Sequence, residues 1–134
     1  MKILNNNILG IICLLFFSTC IRARVYVQVI NQLEDGQRLN VHCQSRDDDL
    51  GYHVLDFGSA TTWSFTANFW GTTLFYCDVQ WDDSNWYHFD VYDADRDYRR
   101  CRSMCRWIIS RDGSLYGYNE ESGFWEWFPF IAFS

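Results

Sequence analysis

The chain has 134 residues, 19% of them aromatic, with 17 acidic side chains against 11 lysines and arginines and a formal net charge of −6. That length suits one domain. The acidic balance argues against nucleic acid, whose phosphates it would repel, and against simple adsorption to anionic lipid, and it favours a basic partner surface.

Residues 1–23 read as a secretory leader. Met1-Lys2 makes a weakly basic start, residues 8–17 are an apolar run, and Ser18-Thr19-Cys20 and Ile21-Arg22-Ala23 each offer small residues for cleavage, after Cys20 or after Ala23. Ten apolar residues are too few to span a membrane, which takes about 20. The protein is therefore expected outside the cell and not as an integral membrane protein. Cutting after Ala23 removes Lys2 and Arg22, so nine arginines face seventeen carboxylates and the net charge becomes −8. Cys13 and Cys20 leave with the leader; Cys43, Cys77, Cys101 and Cys105 remain. An even count in a short secreted chain predicts two disulfides. The spacing lacks the paired Cys-x-x-Cys knuckles of a zinc site.

From residue 24 the pattern is short strands and turns. Val25, Val27 and Val29 alternate onto one face. Leu39, Val41 and Cys43 share a face and His42 the other. Asp47-Asp48-Asp49 and Gly51 break that strand, and residues 52–57 predict the next. Trp63 and Phe65 alternate in a fourth strand. Residues 73–81 read most clearly as a core strand, with Phe75, Cys77, Val79 and Trp81 on one side and Asp78 and Gln80 on the other. Residues 82–85 turn. Tyr87, Phe89 and Val91 then face in, while His88 and Asp90 face out. Residues 93–100 read as a charged loop, residues 101–110 as a strand, Arg111-Asp112-Gly113-Ser114 as a hairpin turn, and residues 115–118 as its return. No stretch has a convincing helical period. These turns every ten or so residues predict an all-β fold, a small antiparallel β-sandwich of about seven or eight strands stapled by disulfides.

If residues 101–110 are extended, Cys101 and Cys105 lie about 13 Å apart at ~3.3 Å per residue, beyond the roughly 7 Å a disulfide tolerates. Each then pairs with Cys43 or Cys77, in either of two connectivities. A helical turn there would allow Cys101–Cys105 instead. The aromatic tail, residues 124–133, reads as a last strand or cover for the sandwich edge, or as an exposed contact patch.

No catalytic constellation is legible. There is no Gly-x-Ser-x-Gly elbow and no zinc-protease histidine pair. Asp47–Asp49 lacks the rest of a calcium loop and reads as a solvated turn or as partners for Arg46 or another arginine. No enzyme activity, cofactor or metal is expected, and no N-glycan, since no Asn-x-Ser/Thr occurs.

Taken together, residues 41–51 (Val-His-Cys-Gln-Ser-Arg-Asp-Asp-Asp-Leu-Gly), 73–81 (Thr-Leu-Phe-Tyr-Cys-Asp-Val-Gln-Trp), 89–92 (Phe-Asp-Val-Tyr), Cys101-x3-Cys105-x-Trp107 and 112–116 (Asp-Gly-Ser-Leu-Tyr) resemble, in that order, the plant self-incompatibility S1 family, the S-protein homologues. The resemblance covers essentially the whole of residues 24–134. It implies a secreted two-disulfide β-sandwich without catalysis. The founding poppy members are similar in pattern and act as pistil ligands of a pollen membrane receptor, triggering calcium influx and death of self pollen. The expected partner is thus a cell-surface receptor protein, with the chain itself a monomer. A rigid sandwich would present variable loops for recognition, here residues 31–37, 82–85 and 93–100, with Asp82, Asp83, Asp93, Asp95, Arg96 and Asp97 as candidate contacts. The competing classes are a cell-wall or defence protein that binds carbohydrate or lipid, with an exposed row of coplanar Trp and Tyr rings favouring carbohydrate, and a secreted hydrolase, favoured by two carboxylates facing each other in a cleft.

Overall fold

A computed structural model describes residues 11–14, 19–22, 24–68, 70–83 and 85–131. Ile11–Leu14 (β1) and Thr19–Arg22 (β2) pair with each other in a sheet of their own. The rest of the expected leader lies outside the described residues.

The elements that follow are β3 (Arg24–Asn31), β4 (Leu39–Gln44), β5 (Asp49–Leu55), β6 (Ala60–Thr66), β7 (Leu74–Gln80), β8 (Tyr87–Asp93), α1 (Ala94–Arg100), β9 (Met104–Ile109), β10 (Leu115–Asn119) and β11 (Phe124–Phe128). They form a five-stranded sheet in the order β11-β10-β9-β3-β6 and a four-stranded sheet in the order β5-β4-β7-β8. This is the expected β-sandwich. Period-two alternation puts the apolar side of each sheet inward: Val25, Val27 and Val29 of β3, Val41 and Cys43 of β4, Phe75, Cys77 and Val79 of β7, and Cys105, Trp107 and Ile109 of β9 are all buried. Trp107 ties the two sheets. Its ring lies 5.3 Å from that of Phe89, and its Nε1 donates to the carbonyl of Val91 at 2.9 Å. β3 and β9 run parallel, so the sandwich is not wholly antiparallel.

Two expectations are corrected. Residues 93–100 are not a loop: Ala94–Arg100 is a helix, capped by the Asp93 carboxylate, which accepts from the Asp95 N–H at 3.1 Å. Seven residues are too few to show a helical period, and the signal was instead the cap with acidic residues in the first turn and arginines in the last. The disulfides are Cys43–Cys77 and Cys101–Cys105, not the crossed pairs. Cys101 ends α1, a bend follows, and β9 starts only at Met104. The Cα atoms of Cys101 and Cys105 are therefore 4.9 Å apart. Cys43 and Cys77 face each other across the β4–β7 ladder.

As far as residue 131 the tail is a last strand and then a cover for the sandwich edge. β11 pairs with β10, and Phe128 packs on Trp107. The chain then crosses to the other sheet, where Phe130 covers Tyr87 and Phe89 and the Ile131 N–H donates to the His88 carbonyl on the β8 edge at 2.7 Å. Phe124 and Trp127 stay 71% and 61% exposed.

Candidate recognition site

The outward face of the four-stranded sheet carries polar and aromatic side chains in register. Tyr52 stands opposite His42, His42 opposite Asp78, and Asp78 opposite His88, a row across four adjacent strands at about 4.8 Å per step. The His88 ring nitrogen Nδ1 lies 2.7 Å from Asp78 Oδ1, and its Nε2 is 3.9 Å from Asp90. His42 Nε2 lies 2.7 Å from Asp49 Oδ1. Gly51, with φ +80°, turns β5 so that its N–H also donates to Asp49 Oδ1, at 2.9 Å. The Gly51 N–H, followed by the His42 hydrogen bond, holds the Asp49 carboxyl below its ordinary pKa.

His42 points outward yet is only 9% exposed, because the Tyr52 ring stacks on it at 4.0 Å and 24°. Trp86, just before β8, meets Tyr52 edge to face at 6.3 Å and 74°. His42, Tyr52, Asp78 and Trp86 together line an open groove of about 350 Å³. Its walls are aromatic and one carboxylate faces it. The imidazoles are oriented by carboxylates, and no free cysteine stands among the described residues; Cys43, Cys77, Cys101 and Cys105 are in disulfides. The arrangement suits binding.

Of the expected contact residues, Asp82 and Asp83 are exposed in the β7–β8 turn, both in the left-handed region at φ +52° and +50°. Asp82 accepts from the Gln37 side-chain amide, so two of the three expected loops touch. The first of them is anchored by fully buried Asn31, which donates to the carbonyls of Gln37 and Leu55 and accepts from the Leu33 N–H. The third set is divided. Asp95 is exposed, Asp93 and Arg96 are partly covered, and Asp97 is fully buried. Asp97 takes hydrogen bonds from Arg96, Arg100 and the Asp93 N–H. Both guanidiniums lie over the rings of Trp107 and Phe128, at 4.5–5.4 Å. Burial pushes the Asp97 carboxyl up, but its hydrogen bond from Arg96 and the charges of Arg100 and Arg96 outweigh this and hold it below the ordinary value. Burial, then the charges of Asp97 and Asp93, push Tyr92 up to about 12. Asp97 is thus a structural counterion, closed to any partner. Elsewhere, Arg46 pairs with Asp47 at 3.5 Å on the surface.

Sequence reasoning placed His42, Asp78 and His88 on outward faces but did not bring them together. The signal was there in the strand pairing: hairpin and ladder register turns three outward positions into one row.

The model of the family described as plant self-incompatibility protein S1 matches residues 26–128. Self-incompatibility protein S1 of Papaver rhoeas is 38% identical over 108 residues, covering 80% of this chain and 77% of that protein. S-protein homolog 5 of Arabidopsis thaliana is 43% identical over 90 residues, covering 67% and 69%. A solved self-incompatibility protein homologue, from a family described as small, highly stable, secreted plant proteins, superposes with a TM-score of 0.58 at 19% identity, over 78% of this chain and 94% of its own.

Proposed function

The chain belongs to the plant self-incompatibility S1 family, and from that premise we propose that it is a secreted, non-catalytic protein ligand that acts by binding a receptor protein on a cell surface, with rejection of self pollen as the setting. The family is one of small secreted plant proteins. The observation that carries the reading is the aromatic and acidic groove on an outward sheet face, next to the exposed Asp82–Asp83 turn, on a scaffold held by two disulfides. A preorganised surface loses little freedom on binding. Residues 1–23 are removed as the leader on this reading, and mass analysis of the secreted protein gives the cut, after Cys20 or Ala23.

The test applies oxidised protein to growing pollen tubes of several genotypes and follows cytosolic calcium and growth. A genotype-dependent calcium rise with arrest is expected. Protein that reaches every tube without effect in any genotype removes pollen rejection from the proposal.

A second reading, binding of cell-wall carbohydrate, is favoured by one feature. Trp127, opposite Tyr116 on the outer face of β10 and β11, is largely exposed, whereas Tyr118 and Trp125 beside them meet edge to face at 67° and extend no flat row. Retention on cellulose or xyloglucan that is lost in Trp127→Ala would support it.

A further inference from the structure

We propose that the groove between Tyr52 and Trp86 holds the cationic side chain of an arginine or lysine on the protein partner, with the two rings as its walls and Asp78 as its counterion. The inference rests on the receptor-binding reading and adds the chemistry of the contact.

Three observations lead there. The walls stand at 74° to each other, so they form a corner and not the flat platform on which a sugar ring lies. A corner of electron-rich faces is the arrangement that cages a cation. The charge around it is negative: Asp78 lines the groove, Asp49 and Asp90 flank it through His42 and His88, and the turn bearing Asp82 and Asp83 leads into Trp86. An anionic ligand would meet repulsion from all of them. Finally, Asp78 gives one oxygen to His88, and a carboxylate has a second to offer a guanidinium or ammonium as a charge-assisted hydrogen bond. The net charge of −8 that remains after a cut at Ala23 steers a basic partner toward such a site.

The experiment titrates isotope-labelled oxidised protein with acetyl-Gly-Arg-Gly amide and with its citrulline counterpart, which keeps the shape of arginine without the charge. Saturable shifts of the Trp86 indole and the Tyr52 and His42 amides are expected with the arginine peptide. Binding should weaken about tenfold for citrulline, and about tenfold in Tyr52→Ala or Trp86→Ala, while Tyr52→Phe keeps the wall and binds as the parent does. Thermal melts confirm that each variant is folded. Equal binding of the citrulline peptide, shifts confined to residues outside the groove, or no saturable binding would overturn the inference.

A parallel measurement of labelled protein on plant cells separates this inference from the reading beneath it. If the parent binds cells and the folded Tyr52→Ala and Trp86→Ala variants bind equally, the groove is not the contact and the receptor reading stands. If the peptide titration succeeds but the parent binds no cell, the groove is a cation site and the receptor reading fails.

Discussion

The α1 end of the sandwich and the outer face of the four-stranded sheet use the same materials, carboxylates beside cationic or imidazole groups and aromatic rings. At α1 the chain supplies the partners of the buried carboxylate, though Arg100 Nη2 is buried without a hydrogen bond. Asp97 is saturated by two arginines and a backbone N–H, and the arginines are covered by Trp107 and Phe128. On the sheet face the histidines are paired, but the aromatic walls and Asp78 open to water. A dense run of charge in sequence therefore marks a sealed joint here, while scattered single residues make the open site. Burial, not charge count, separates holding from recognising.

That contrast can be broken. The largest effect is expected at α1. Asp97→Asn leaves two covered guanidiniums without their counterion and should cost about 3–5 kcal/mol in urea unfolding. The folded pKa of Asp97 is below its ordinary 3.8, so its contribution is present above that range and lost as pH falls through the lower folded value. Parent stability should drop on acidification below about pH 4, and the drop should flatten in Asp97→Asn. A small Asp97→Asn effect at neutral pH would mean that α1 is held by its rings alone.

The disulfides come next and are unequal. Cys43–Cys77 spans 34 residues and should contribute about 4 kcal/mol in the chain-entropy model, whereas Cys101–Cys105 spans 4 and should contribute about 2. Paired Cys→Ala variants, compared by unfolding, test that ratio.

Gly117 sharpens the comparison further. A Cβ there would stand 2.8 Å from Arg100 Nη1 and 2.9 Å from the Trp107 ring. Gly117→Ala should cost about 1–3 kcal/mol by overpacking the sealed joint, measurable as a lower midpoint in urea.

The smallest effect belongs to the groove. Tyr52 is 72% exposed, so Tyr52→Ala should change stability by no more than about 0.5 kcal/mol. A loss of several kcal/mol would make the Tyr52–His42 stack structural and erase the distinction.

The strands were legible because their signal is local. Alternation put Val25, Val27, Val29, Phe75, Cys77 and Val79 on inward faces, and the structure has them buried. The Arg111-Asp112-Gly113-Ser114 turn was legible for the same reason, with Gly113 at φ +79° and Ser110 bonded to Asp112. What was not legible depended on partners distant in sequence or on breaks too short for a period. Nothing local says that Asp97 meets Arg100 under a ring from β9, nor that the extended segment starts three residues after Cys101. The groove joins β4, β5, β7 and the loop before β8, and its row exists only once register is set.

The parallel pairing of β3 with β9 has a kinetic consequence. Tyr26 lies opposite Met104, so the first strand after residue 23 must wait for one 78 residues later. The hairpins β4–β5 and β7–β8 close over short loops and can form early, whereas the five-stranded sheet pays the entropy of a long closure before its contacts reward it. During synthesis and export the four-stranded half, with Cys43 beside Cys77, is available to assemble first. β3 stays unmatched on one side until β9 arrives, and that interval is when the chain is most exposed to mispairing.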